Sequence, residues 1–104
     1  MISKSIFEIS RGFDENYFLF NEDVDLCRTI KQTGKEVIYF PEAKIIHQVS
    51  TSNSKTAARV IIQRHLGMMH YFKKHHEGNL LTRGIINLFI SLRGVTQLLI
   101  NFIK

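Results

Sequence analysis

Apolar positions in this chain change their spacing several times, and each change suggests an element. Ile2, Ile6 and Ile9 alternate loosely over residues 1–10, as in a short strand or a loop. Phe13, Tyr17, Phe18 and Phe20 then follow without any period, which suggests a loop entering a pocket. From Glu22 the spacing becomes helical, with Val24, Leu26, Cys27 and Ile30 as the apolar stripe. Asn21 suits the N-cap, Lys31 and Lys35 suit the C-terminal end, and Gly34 is a natural stop. Glu36 to Phe40 reads as a strand ended by Pro41, and Ala43 to Val49 as a second extended segment. Ser50 to Ser54 is polar and marks a boundary. Residues 55–76 predict a helix with Val60, Ile61, Leu66, Met69 and Phe72 available for packing, broken by Glu77-Gly78-Asn79. Residues 80–104 predict another helix, apolar except for a narrow stripe of Asn87, Ser91, Gly94, Gln97, Asn101 and Lys104.

Charge divides at the same polar boundary. Residues 1–53 hold six Lys/Arg against eight Asp/Glu, whereas 54–104 hold eight Lys/Arg against the single acid Glu77. We therefore expect two regions, 1–53 and a basic helical 54–104. A basic, apolar half suits an anionic partner such as lipid headgroups or a sugar diphosphate. Nucleic acid is not expected, because no recognition motif is present and the first half is acidic. Cys27, the one cysteine, cannot form an internal disulfide, which fits a reducing compartment. Residues 1–10 contain Lys4 and Glu8 and lack the apolar core of a secretory leader.

Three acids, Glu22, Asp23 and Asp25, fall in the first turn of the first predicted long helix. On local grounds alone they stabilise a helix N-terminus. Neighbouring helix residues point about 100° apart, so Glu22 and Asp23 cannot share one role. His47 ends an apolar run and, by itself, reads as a hydrogen-bonded structural residue. His65 and His70 are five apart, not the i, i+4 pairing that puts two metal ligands on one helix face. Lys73-Lys74-His75-His76 reads either as a basic helix end that complements the dipole or as a basic segment facing a diphosphate or a membrane.

In order, Gly12-Phe13-Asp14-Glu15, Tyr17-Phe18, Glu22-Asp23-Val24-Asp25-Leu26-Cys27, Gly34, Pro41-Glu42-Ala43 and Ile45-Ile46-His47 resemble the acceptor-side segment of family 2 glycosyltransferases. The likeness is to the rhamnosyltransferase-like kind with a GT-A fold. It implies an α/β fold class: the C-terminal part of a Rossmann-like enzyme, with short strands plus helices and then a helical tail. Such enzymes carry an upstream Asp-x-Asp metal motif, and no Asp-x-Asp precedes Gly12. The resemblance implies that Asp23 is the catalytic base and that Glu22 orients the acceptor or tunes Asp23. It places Phe18, Asp25 and Arg28 at the substrate, although Asp25 on its own reads as a capping or salt-bridging residue, and His47 at the metal or diphosphate. Imidazole suits Mn²⁺ as an added ligand, while Mg²⁺ prefers oxygen. A divalent metal (Mn or Mg) is thus implied for the complete enzyme, with no tight binding by this chain alone. Two positions depart from the pattern: Arg11 replaces its first Gly, and Thr29 stands where an Arg is usual, with Arg28 just before it.

The implied function is transfer of a hexosyl or rhamnosyl unit, with inversion, from a nucleotide-sugar donor to a saccharide or lipid-linked acceptor. The setting is polysaccharide synthesis for the cell envelope, in the cytoplasm at the inner face of the membrane. Arg93 falls near the middle of 80–104, which suits a helix lying in the membrane interface better than one crossing it; a helix packing back on the rest of the catalytic domain fits the same pattern. The competing reading is a non-catalytic membrane-association or binding module.

Overall fold

The computed structural model describes residues 1–46 and 54–103, and all regular structure among them is helical. The Ser3 side chain accepts a hydrogen bond from the Ile6 N–H and starts α1 (Lys4–Ile9), where alternation had suggested a strand or loop. Arg11 and Gly12, both at positive φ, reverse the chain after α1. A Cβ on Gly12 would lie 3.1 Å from the Phe7 ring, so the turn needs glycine both for φ and for space.

Helix α2 (Glu22–Gln32) starts and stops near the predicted positions. Its end is closed by the Gly34 N–H bonding to the Lys31 carbonyl and the Lys35 N–H to the Ile30 carbonyl, with Gly34 at φ +77. Its start differs from expectation. Asn21 occupies the cap position in a left-handed conformation, and its side chain makes no capping bond. Phe20 before it is left-handed too, an outlier for a bulky residue. Leu26 and Ile30 are buried, whereas Val24 and Cys27 of the predicted stripe are exposed.

Helices α3 (Ser54–His75) and α4 (Leu80–Ile103) form a hairpin. Between them Asn79 caps α4, its Oδ1 accepting from the Thr82 N–H at 2.9 Å. On one side α3 holds the aromatic loop. The Arg59 guanidinium lies 5.2 Å from the Phe18 ring centre and that of Arg64 lies 4.7 Å from Phe20. Gly67 packs so closely that a Cβ there would stand 2.8 Å from Asn21 Nδ2 and 3.2 Å from the Phe20 carbonyl oxygen. On its other side α3 meets α4 where the buried His65 ring lies over Gly94.

This architecture corrects the α/β expectation: the described residues contain no strand and no sheet. Glu36–Phe40 and residues 43–46 are irregular, joined by a turn in which the Ala43 N–H bonds to the Phe40 carbonyl. A strand is stabilised by a hydrogen-bonded neighbour and by burial of a face. Neither is present here, and Tyr39, Ile45 and Ile46 stand exposed. Residues 47–49 of the second predicted extended segment lie outside the described residues.

The structure also gives the narrow polar stripe of α4 a direction that periodicity left open. Asn87, Gly94, Gln97 and Asn101 are wholly or partly buried on the side that holds the buried Ile90. Leu81, Ile85, Leu88, Phe89, Leu92 and Leu99 face outward. The helix is therefore inside out relative to one on a water-soluble surface.

Candidate functional site

The aromatic loop, α2 and the last turns of α3 bring six polar side chains to one place. Asp25, 3% exposed, is the hub. Its carboxylate accepts from the Tyr17 hydroxyl at 3.1 Å, from Lys74 Nζ at 2.8 Å and from His75 Nε2 at 2.5 Å. Lys74 also reaches Asp14 Oδ2 at 2.7 Å, and His70 Nε2 lies 3.4 Å from the same oxygen. Asp14 Oδ1 is filled locally by the Asn16 backbone N–H and side-chain amide, which fixes the loop. The His70 ring stands edge-on to Tyr17 at 4.7 Å, and Tyr71 lies 4.8 Å from His75.

The electrostatics follow from these bonds. Asp14 is held well below the usual carboxylate range, chiefly by the Lys74 ammonium and then by the Asn16 N–H. Burial alone would raise Asp25, but the hydrogen bonds from Lys74 and His75 outweigh it, so its pKa falls. Desolvation similarly works against the Lys74 charge, and the bonds to Asp14 and Asp25 reverse the balance and raise it. Tyr17 is pushed up by burial first and by the Asp25 charge second. The carboxylates and Lys74 therefore stay ionised, and Tyr17 keeps its proton, across the neutral range. A cleft of about 570 Å³ opens beside them, lined by Ser10, Arg11, Asp14, Asp25, Lys74 and His75.

The candidate residues are distributed around this centre. Asp25, read as a substrate contact, lies inside it, tied to protein partners. Arg28 donates from Nη2 to the His75 carbonyl at 3.2 Å, satisfying a helix C-terminal oxygen, and lines a second cleft with Tyr71 and His76. Asp23 is exposed and faces a different cleft, about 430 Å³ and mainly apolar, with Phe13, Leu26, Cys27, Ile30 and Val37. Two positions along a helix are about 200° apart, so Asp23 and Asp25 serve opposite faces of α2. Among the described residues Asp23 Oδ1 accepts only from the neighbouring Val24 N–H, at 2.8 Å, and the residue is exposed. Glu22 Oε2 is buried without a hydrogen-bond partner among the described residues. Phe18 is exposed and carries the Arg59 guanidinium on its ring. His47 lies outside the described residues. Among the described residues no group of three or more His, Cys, Asp and Glu could hold a metal ion.

Sequence reasoning did not single out Asp14 or join Lys74 and His75 to Asp25. The available signal was the basic run at 73–76 opposite an acid-rich loop. Separations of about fifty and sixty residues hide such pairs from any local pattern.

The chain is similar to rhamnosyltransferases, a kind of glycosyltransferase. It is 30% identical over 78 residues to an N-acetylglucosaminyl-diphospho-decaprenol L-rhamnosyltransferase of Mycobacterium tuberculosis, covering 75% of this chain and 25% of that protein. It is 28% identical over 101 residues to the dTDP-rhamnosyl transferase RfbF of Shigella flexneri, covering 97% of this chain and 34% of that protein. A shorter match, 38% over 42 residues, joins it to the rhamnosyltransferase WbbL of Escherichia coli, covering 40% of this chain and 16% of that protein. The chain thus spans at most about a third of the length of these relatives. No family model matches it, and no solved structure does.

Proposed function

We propose that this chain is the acceptor-side part of a family 2, inverting glycosyltransferase that acts in cell-surface polysaccharide synthesis. A sugar passes from a nucleotide-sugar donor, of the hexosyl or rhamnosyl type, to a saccharide or lipid-linked acceptor. The observation that carries this reading is the similarity to rhamnosyltransferases, which extends over as much as 97% of the chain. The accessible Asp23 carboxylate beside a cleft supports it.

In this reading Asp23 takes the proton from the acceptor hydroxyl as that oxygen bonds to the anomeric carbon. The bond to the donor diphosphate breaks with its electrons, and a nucleoside diphosphate leaves. Glu22 orients the acceptor, Phe18 offers a ring face to a sugar, and Arg28 and Asp25 set the shape of the substrate side. Residues 1–53 form the acceptor region and 54–104 the basic helical region, with Lys74 and His75 clasping the two. A divalent metal enters this proposal only through His47. The described residues do not form a site for one, and no step here depends on it. The enzyme works in the cytoplasm at the inner face of the membrane, in peripheral contact with it.

The test is an enzyme that carries this segment behind a nucleotide-sugar-binding region, for instance RfbF with its matching third replaced by this chain. Asp23→Asn keeps the shape and loses the basicity, so turnover is expected to fall roughly 10²–10⁴-fold with donor binding unchanged. A rate within a few-fold of the parent removes Asp23 from the role. The isolated chain is expected to show no turnover, and enzyme-like rates from it would overturn the division of labour. A non-catalytic membrane module is the second reading, favoured by the outward apolar face of α4; a parent chimera inert with every donor would support it.

A further inference from the structure

The outward face of α4 is the largest feature that the transferase reading does not use. Leu81, Ile85, Leu88, Phe89, Leu92 and Leu99 are exposed along it, while Asn87, Gln97 and Asn101 turn toward α3. Water would favour the reverse orientation. The helix is also held in this setting: Gly94 lies under the His65 ring, where an added Cβ would come within 3.2 Å of it. Asn87, Gln97 and Asn101 directed inward, the exposed Ser91 and Thr96 hydroxyls spent on the helix's own Asn87 and Arg93 carbonyls, apolar groups outward and a small residue at the helix crossing together suit an apolar surrounding, with Arg93 the one exposed charge on this helix among the described residues.

By length and composition α4 is long and apolar enough to cross a membrane. Its neighbour argues against crossing. Helix α3 packs along α4 and carries Arg59, Arg64, Lys73 and Lys74. A spanning α4 would draw these cations into the hydrocarbon, at a cost of about 2.5–3.5 kcal/mol each even on the lowest scale. In the plane of the interface, α3 instead stays on the water side. Arg83 and Arg93 on α4 are then at headgroup depth, and Glu77 is the only acid in the hairpin.

We infer that α4 lies in the plane of an anionic membrane, with its Leu88–Leu92 face among the acyl chains and α3 above it. Basic residues near such a surface add attraction that salt screens, and the apolar face adds an unscreened part. This goes beyond the transferase reading by fixing the surface, its orientation and the lipid charge. It rests on that reading only for the membrane contact, and it can fail while the chimera above still transfers sugar.

The experiment uses the whole chain and vesicles of phosphatidylcholine with or without phosphatidylglycerol. The chain is expected to sediment with the anionic vesicles, to lose at least tenfold in affinity between 50 mM and 500 mM salt, and to retain a salt-resistant remainder. Alkaline carbonate should release it. A Leu88→Asp, Leu92→Asp double variant should lose binding and keep its helical circular dichroism, because both positions face outward. If the double variant loses helicity, Phe89→Trp replaces it, and quenching by lipids brominated at shallow depth is expected to exceed quenching at the bilayer centre. Strongest quenching at the centre, or resistance to carbonate, means a spanning helix and overturns the inference. Failure to bind with concentration-dependent dimerisation assigns the face to a second copy. Failure to bind as a monomer assigns it to another protein segment, and both outcomes overturn the inference. Equal binding to neutral and anionic vesicles removes the lipid-charge part.

Discussion

The cluster around Asp25 and the outer face of α4 stand on opposite sides of α3, and they satisfy different demands. Around Asp25, Lys74, His75, Tyr17 and Asp14 supply each other's partners, so the group is complete within the chain. Along α4 the outward apolar residues stay exposed among the described residues, and Asn87 Oδ1 is buried there without a hydrogen bond. Protein groups fix the first region. The second is left uncovered by the described residues. Burial alone therefore does not identify where the chain expects water.

The sharpest way to break this contrast is Asp25→Ala. It would leave the buried His75 and the partly buried Lys74 without their shared acceptor, and removing one partner of a buried ion pair costs about 3–5 kcal/mol. Denaturant unfolding measures the loss, while vesicle binding by α4 should survive under conditions where the variant stays folded. A loss below about 1 kcal/mol would mean that the cluster does not tie α2 to α3.

Titration separates the regions at similar or smaller cost. The folded pKa values of Asp14 and Asp25 are depressed, so their contribution is present above the unfolded carboxylate value near 4 and is lost as pH falls through the folded values. Lys74 and Tyr17 are raised, so theirs is present below the unfolded values near 10 and is lost as pH rises through the folded ones. Stability is expected to hold between roughly pH 4 and 10 as far as these four groups set it. Urea midpoints at pH 3, 7 and 11 test this, and an unchanged midpoint at pH 3 would remove the two carboxylates from the account.

Two glycines sharpen the comparison with smaller effects. Gly67→Ala gains helix propensity but pushes a methyl group against Asn21 and the Phe20 carbonyl, so about 1–3 kcal/mol of overpacking is expected to outweigh the gain. Gly84→Ala meets nothing within 4 Å and should stabilise α4 by up to about 1 kcal/mol. Thermal melts of both variants give the signs directly.

The helices were mostly legible because their punctuation is local. Gly34 ends α2, and Asn79 caps α4 after the break at Glu77-Gly78. Residues 36–40 differ from the expected strand because a β-branched and aromatic run has strand propensity without supplying the neighbouring strand that completes one. Asn21 was placed correctly as the residue before α2, but its left-handed backbone and its packing beside Gly67, forty-six residues away, leave no local pattern. Periodicity marked the stripe on α4 and left its direction open, because a helical moment has no sign until the surroundings are known. The acids of α2 could be named, but separating Asp23 from Asp25 required the third dimension.

Helix α3 has a consequence for how the molecule can move. Its 22 residues form a rod about 33 Å long. One part of it seats Gly94 beneath His65, and about three turns further on the same rod carries the grip of Lys74 and His75 on Asp25. A rod that is held on two sides has a single rotational setting satisfying both. Rolling α3 to follow a tilt of α4 would draw Lys74 and His75 away from Asp25, so the two faces are geared together.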